Sequence, residues 1–497
     1  MGLGPAGMLD GRIDGIAALP RSCLLSCRMP FHWMVASGTM DLSYRRPRRV
    51  TPEMPPLNSS GTLPGGARFQ IEVPDPWNGT LLLYSLPIPV EPGQPPWPPG
   101  DGLIGDLTGQ GYAVAGAANT IFWPLESSLA NLPALLDVFA SAAGAPRRTI
   151  SLGLSIGGLI TAAIVERHPG RLSGALPMCG NLAGAVAIHN RELDIAFVVK
   201  TLLAPESSLA LTDIADPAGN LEIASSILSE AQTTPAGRAR LALAAAVGNI
   251  PGWHTPGSPE PDASDVDGRL RDQIGWFEEP GFLVYFWARE QVERQAGGNP
   301  SWNTGIDYRR LLETSINLDQ VVALYDAAGI RLDTDLETLE VARRIEADPA
   351  ALAYLERNVV FGGELGGVPV LTMHTDGDGL VTPDNQHAYA DVVGAAGNEH
   401  LLRQVFIHRA GHCSFTPAEV TVALEALLER IETGAWPDLD PARLNAAASA
   451  LGPGHHGLRS GGTAEPGFFA YEPRPFPRAY DLRDAGRSVG SVGHAAG

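Results

Sequence analysis

A G-x-S-x-G motif at residues 153–157 constrains the fold of this chain more than any other feature. Residues 149–154 before it predict a buried strand, and residues 156–165 predict an apolar helix. A serine at such a strand-to-helix corner takes a strained backbone, and its flanking glycines avoid collisions with the neighbouring strand and helix. The turn would expose the Ser155 hydroxyl for attack on a carbonyl carbon. In a chain with 57 glycines, the motif alone also fits a turn with an idle serine.

A nucleophilic serine needs a base, and the base needs a carboxylate that orients it. Residues 368–374 predict a strand, and Asp376 and Asp378 follow it directly in a Gly-rich turn. A carboxylate just beyond a strand end is well placed for this task. The alternative is that both aspartates serve only the geometry of the turn.

A histidine follows the next predicted strand, residues 402–408. His412 lies in the loop after that strand, and a capping box at residues 416–419 then begins a helix that runs to about residue 433. A loop position suits a general base, so His412 is the favoured base. His408 ends the strand and is predicted to be structural. His374 is the third candidate for the base.

The order serine, aspartate, histidine, each after a strand, resembles the α/β-hydrolase superfamily. Residues 77–85, 176–180 and 408–413 resemble more closely a group of actinobacterial serine hydrolases. The resemblance covers about residues 65–435 and implies an eight-stranded core and hydrolysis of esters or related acyl bonds. It implies Ser155 as nucleophile, His412 as base and Asp378 as acid. The D-x-x-V spacing from Asp378 to Val381 resembles the acid loop of the family and favours Asp378 over Asp376.

One segment departs from the family pattern. Relatives commonly carry His-Gly after the strand at residues 81–85, where a loop helps to form the oxyanion hole. This chain has Leu86-Pro87-Ile88. The resemblance implies the amide of Ile156 as one donor, whereas Pro87 has no N–H to donate. The second donor is then Leu86 or Ile88, and we expect Ile88 because a following proline restricts the backbone of Leu86.

Alternating strand and helix patterns up to residue 182 predict a mostly parallel, doubly wound α/β sheet. At its start, residues 69–73 and 81–84 are predicted to pair as antiparallel strands. A helical period then replaces the alternation until residue 362, which predicts a large helical cap inserted after the sixth strand. The predicted organisation is an N-terminal extension over 1–60, a core over 61–182 and 363–436, a cap over 183–362 and a Pro/Gly-rich tail over 437–497.

The predicted cap is rich in aromatic residues, which favours a small-molecule substrate with a bulky apolar or aromatic acyl group. The alternative is that most of them pack the core of the cap itself. These residues are Trp253, Trp276, Phe277, Phe282, Tyr285, Phe286, Trp287 and Trp302.

A formal net charge of −20 disfavours nucleic acids and anionic membrane surfaces as partners. No apolar run approaches the roughly 18 residues that a membrane span needs. The apolar stretch at residues 16–20 is short and is interrupted by Arg21, which is not typical of a signal peptide. We therefore expect a cytoplasmic protein, with secretion as the alternative, and the sequence leaves open whether it is a homo-oligomer. Cys179 and Cys413 are expected close to the site, either as a disulfide that braces the histidine loop or as two buried thiols.

The sequence thus predicts a serine hydrolase, without cofactor or metal, that cleaves an ester, lactone or thioester through an acyl-enzyme. Two alternatives stay open. The same triad serves acyl-transferring or ring-forming enzymes if the cap excludes water. The departure at Leu86 and Pro87 would also fit a hydrolase-fold binding protein with an impaired site.

Overall fold

A computed structural model of the chain describes residues 57–483. Within this range it contains one sheet of nine strands in the order β1-β2-β4-β3-β5-β6-β7-β8-β9. The predicted N-terminal extension lies outside the described residues except for 57–60, which belong to the first strand. The strands are β1 (Leu57–Thr62), β2 (Arg68–Val73), β3 (Thr80–Ser85), β4 (Ala113–Ala117), β5 (Arg148–Leu154), β6 (Gly174–Met178), β7 (Val370–Gly377), β8 (Leu402–Ala410) and β9 (Phe468–Phe469).

The strands from β4 to β8 run parallel and form the middle of the sheet. The predicted antiparallel pairing of β2 with β3 is wrong, because β4 lies between them and β2 pairs with β1 and β4. All six residues of β3 are buried. A strand that is apolar on both faces belongs inside a parallel sheet with a neighbour on each side, and not in an edge hairpin.

Helices cover both faces of this sheet. Leu81 and Leu83 face one apolar cluster, which contains residues of the helices Leu125–Ala143 and Ile156–Arg167. Leu82 faces the other cluster, which contains residues of the helices Gly102–Gly109 and Pro417–Thr433. The helices are α1 (Gly102–Gly109), α2 (Leu125–Ala143), α3 (Ile156–Arg167), α4 (Ala185–Leu203), α5 (Pro217–Ala231), α6 (Pro235–Val247), α7 (Val266–Trp276), α8 (Phe282–Ala296), α9 (Tyr308–Glu313), α10 (Leu318–Ala328), α11 (Leu332–Val341), α12 (Pro349–Val359), α13 (Asp384–Ala395), α14 (Pro417–Thr433) and α15 (Pro441–Ala450).

The helices α4 to α12 form an insertion between β6 and β7, which we call the helical insertion. It has an apolar core of its own, and most of its aromatic side chains are buried there. Phe277, Phe282 and Phe286 form a stacked series with ring centroids 5.8 and 5.4 Å apart. Most of these aromatic residues therefore pack the core of the insertion itself, which is the alternative to a role in substrate binding.

The C-terminal segment connects the sheet to the helical insertion. Its strand β9 pairs antiparallel with β8, which raises the strand count above the eight that the family resemblance implied. Further on, the Arg478 guanidinium forms a buried ion pair with Asp194 of α4 and donates to the carbonyl of Trp302 over 2.9 Å. Residues 468–478 are thus part of the packed structure.

This topology, with a strand-helix corner after β5 and a helical insertion after β6, confirms the predicted α/β-hydrolase fold. None of the helices between residues 57 and 483 combines the length and apolar character that crossing a bilayer requires. The domain boundaries and the role of the insertion as a cap stay predictions.

Candidate active site

Ser155 occupies a sharp corner between β5 and α3. Its φ of 57° and ψ of −124° are strained for a residue with a side chain. A Cβ on Gly157 would lie 2.2 Å from the Ser85 carbonyl oxygen, and one on Gly153 would lie 2.3 Å from the Gly157 carbonyl oxygen. The two glycines of the motif are therefore required by close backbone approach, as the sequence predicted.

The structure brings Ser155, His412 and Asp378 together in one hydrogen-bonded chain. The Ser155 Oγ lies 2.7 Å from His412 Nε2, and His412 Nδ1 lies 2.6 Å from Asp378 Oδ2. Asp378 is fully buried, while Ser155 and His412 are partly exposed. With Nδ1–H donating to the carboxylate, the Nε2 lone pair is free to accept the serine proton.

The turn after β7 holds Asp378 rigidly. Its Oδ1 accepts hydrogen bonds from the backbone N–H of Leu380 and Val381, at 3.1 and 3.0 Å. His374 is buried beneath this turn, where its Nε2–H donates to the Val381 carbonyl over 2.7 Å and its Nδ1 accepts from Gln386. Burial lowers the pKa of His374, so this histidine is neutral and structural.

Several contacts hold the loop of His412. Cys413 is joined to Cys179 by a disulfide, the first of the two alternatives that the sequence left open. The Thr375 hydroxyl donates to the Gly411 carbonyl over 2.8 Å. The predicted capping box of Thr416 and Glu419 is present at the start of α14, and Arg409 forms a buried bidentate pair with the same glutamate. The loop that carries His412 is therefore held on both sides.

His408 and Asp376 form a separate pair that is not connected to Ser155. His408 Nδ1 lies 2.7 Å from Asp376 Oδ2, and the ring packs between Trp253 and Phe469. The side chain of His408 is 47% exposed. Burial raises the pKa of the Asp376 carboxyl, although His408 opposes this shift. These two residues therefore lie outside the hydrogen-bonded chain of Ser155, and the roles of Asp378 and His412 stay predictions.

Arg191, which is buried on α4, is a residue of the site that no sequence pattern predicted. Its Nε donates to the Gly248 carbonyl over 2.7 Å, and its two terminal nitrogens reach the carbonyls of Leu380 and Gly379, each over 3.4 Å. It thereby ties the helical insertion to the turn that presents Asp378. α4 carries three further charged residues, Glu192, Asp194 and Lys200, so the charge of Arg191 was no local signal of this role.

We expect Arg191→Met to lower kcat about 10- to 100-fold, because small displacements of a catalytic group have effects of this size. The acidic limb of the pH–rate profile should shift as well, since the base loses its oriented carboxylate. Arg289→Met is the matched control: Arg289 is also a buried arginine of the insertion, but its partners include Ser301 and the His189 carbonyl. Equal losses of kcat per folded molecule in both variants would contradict a positioning role for Arg191.

The residues predicted for the oxyanion hole lie around the elbow. Ile156 opens α3 directly after Ser155. A Cβ on Gly157 would also lie 2.8 Å from the Leu86 carbonyl oxygen, so the backbone that follows β3 approaches the N-terminus of α3. The Leu86 side chain is buried, whereas that of Ile88 is 60% exposed. Which of their amides acts as second donor stays a prediction.

An o-phthalyl amidase from Xanthobacter agilis is 32% identical to this chain over 428 residues, which cover 79% of this chain and 91% of the amidase. The chain belongs to the family of this amidase. Membership in this family and the α/β-hydrolase fold together make it a hydrolase. The narrower resemblance to an actinobacterial group stays a prediction, and no protein-family model matches the chain.

Two solved structures are more distant. An esterase from Aspergillus oryzae matches with a TM-score of 0.39 at 15% identity and covers 77% of this chain and 80% of its own. A feruloyl esterase B from the same species matches with a TM-score of 0.35 at 14% identity, covering 77% of this chain and 81% of its own. Likeness at this level decides nothing about what the present chain acts on.

Proposed function

We propose that this protein is a serine hydrolase that cleaves an amide or ester of a bulky aromatic acyl group through an acyl-enzyme. The observation that carries the proposal is the hydrogen-bonded chain from Ser155 through His412 to the buried Asp378, with 2.7 and 2.6 Å between the bonded atoms. Ser155 attacks the acyl carbon, and His412 takes its proton and returns it to the leaving group. Asp378 keeps the imidazole in the required tautomer.

The choice of an aromatic acyl group rests on two features. The related amidase is named for the o-phthalyl group, an aromatic acyl group. In this chain, four aromatic side chains of the helical insertion line a cavity against Gly379 and Leu380, directly after Asp378. These side chains are Trp276, Phe277, Phe282 and Tyr285. Arg191 and Glu192 also line this cavity, whose volume of about 30 Å³ is too small for an aromatic ring. A ring would therefore enter only if the lining side chains moved, and the aromatic character of four of them favours a flat ring over a short aliphatic chain.

Substrate comparison tests this proposal. The hydrolysis rates of phthalyl and benzoyl amides of one chromogenic amine would be compared with that of the acetyl amide. The same comparison would be made for esters of one chromogenic phenol. We expect kcat/KM to be at least about tenfold higher for the aromatic acyl groups, the scale of discrimination that an apolar pocket supplies. A preference for acetyl would contradict the acyl group proposed. Adding a second nucleophile, such as an alcohol or hydroxylamine, separates hydrolysis from acyl transfer, because an acyltransferase would form the adduct in preference to the free acid.

The segment at Leu86 and Pro87 gives a further prediction. Leu86→His combined with Pro87→Gly restores the pair that relatives carry and the N–H that proline lacks. If the present loop leaves the hole one donor short, generic ester hydrolysis should rise, within the roughly 100- to 1000-fold that one donor contributes. Turnover of the preferred aromatic substrate should fall if the loop is shaped for it. Unchanged rates for both substrates would mean that this loop does not touch the reacting carbonyl.

A further inference from the structure

Three side chains with metal-binding atoms meet beside Ser155. The Sγ atoms of Cys179 and Cys413 and a ring nitrogen of His412 all lie within 4.8 Å of one another. Cys413 Sγ is 3.5 Å from His412 Nε2, the same nitrogen that contacts the Ser155 hydroxyl. In the disulfide form the sulfur atoms are not thiolates, and the thiolate is the form of cysteine that binds metal ions.

We propose that the disulfide masks a soft-metal site. When a dithiol reductant opens the bond, the thiolates of Cys179 and Cys413 and the Nε2 of His412 bind one Zn²⁺ or Cd²⁺ ion. In the first step the dithiol is oxidised to its own disulfide, and two electrons and two protons pass to the cysteine sulfurs. In the second step the metal ion displaces the two thiol protons, which are released to solvent.

The distances suit a tetrahedral ion. With Zn–S near 2.3 Å and Zn–N near 2.0–2.1 Å, a sulfur and a nitrogen ligand lie about 3.5 Å apart. Cys413 Sγ and His412 Nε2 already stand at that separation. Two thiolates on one zinc ion lie about 3.8 Å apart, whereas the sulfurs of a disulfide lie about 2.0 Å apart. After reduction the two sulfurs must therefore separate by about 1.8 Å. Their Cα atoms are 5.6 Å apart, and rotation of the side chains supplies this movement. Ser155 Oγ or a water completes the fourth position.

The backbone around the site is held by contacts other than the disulfide. The Cys179 N–H donates to the Met373 carbonyl over 2.8 Å. On the other side, the Thr375 hydroxyl holds Gly411, and the Arg409–Glu419 pair holds the start of α14. These contacts survive reduction, so the three ligands should stay together in the reduced protein.

Metal binding has a direct chemical consequence. The Nε2 lone pair that would accept the Ser155 proton is the one that the metal would occupy, so the bound ion removes the base. Inhibition therefore rests on the proposed function, whereas binding of the metal does not. The oxidised protein keeps its base free and should be indifferent to the same concentration of metal.

The test is a Cd²⁺ titration of oxidised and reduced protein. Cys23 and Cys27, which lie outside the described residues, are first replaced by serine so that they cannot contribute thiolates. The dithiol is removed by anaerobic gel filtration, and Cd²⁺ binding is followed by the cadmium–thiolate charge-transfer absorption. We expect one equivalent in the reduced protein and none in the oxidised protein. Hydrolysis by the reduced protein should fall at least tenfold with that equivalent.

Two variants in the same background sharpen the test. Cys413→Ser removes one thiolate and should weaken Cd²⁺ binding at least tenfold, while Ser155→Ala should retain it. Absence of the absorption band in the reduced protein, or equal binding by the oxidised protein, would overturn the proposal. Loss of the native circular dichroism spectrum on reduction would also overturn the proposal, because the site requires the folded chain. If no substrate is ever hydrolysed, the proposed function fails while the titration still decides the metal site.

Discussion

Ser155→Ala should lower kcat on the best aromatic substrate by up to about 10⁶-fold, the scale seen when a nucleophilic serine is removed. The fold should persist, because the change deletes one partly exposed hydroxyl at a corner whose two glycines remain. The measurement is kcat under saturating substrate, together with the thermal midpoint.

Ser151→Ala provides a matched control for this experiment. Ser151 lies four residues before Ser155, on strand β5. It is fully buried, and its hydroxyl has no hydrogen-bond partner among the described residues. It should therefore keep near wild-type activity. A fluorophosphonate probe should label the wild type at Ser155, as mapped by peptide mass spectrometry, and should fail to label Ser155→Ala. Wild-type turnover by Ser155→Ala would rule out the covalent route.

Asp378→Asn should lower kcat about 10⁴-fold, because an amide in place of the carboxylate favours the wrong imidazole tautomer. The side chain keeps its shape, and its oxygen can still accept from the N–H groups of Leu380 and Val381. The measurement is kcat across the pH range, with the thermal midpoint as a check on folding.

Asp376→Asn is the control for that change. Asp376 lies two residues earlier and hydrogen-bonds to His408, which is half-exposed and does not contact Ser155. We expect its kcat to stay close to that of the wild type. If Asp376→Asn lost activity and Asp378→Asn kept it, the assignment of the acid would be reversed, with His408 as the candidate base.

Much of the candidate site could be predicted from local sequence. Ser155, Asp378 and His412 each follow a strand, and parallel strands place their C-terminal ends at one edge of the sheet. Chain order and strand patterns selected Ser155 and His412 and narrowed the acid to Asp376 or Asp378, and the resemblance to the acid loop of the family favoured Asp378. The pairing of β2 could not be predicted in this way, because hydrophobic alternation identifies a strand without naming its neighbour.

What the sequence by itself determined was the fold class and the hydrolytic character, and it selected the residues that we propose as the triad, since each depends on a short motif and on the order of elements. Only the tertiary structure decided the contacts that hold the triad in place. Arg191 contacts Gly379 and Leu380 of the acid turn, 188 and 189 positions later in the sequence, and the Cys179–Cys413 disulfide joins residues separated by 234 positions. Such pairs leave no local pattern, because their energy comes from groups that meet only when distant segments pack together.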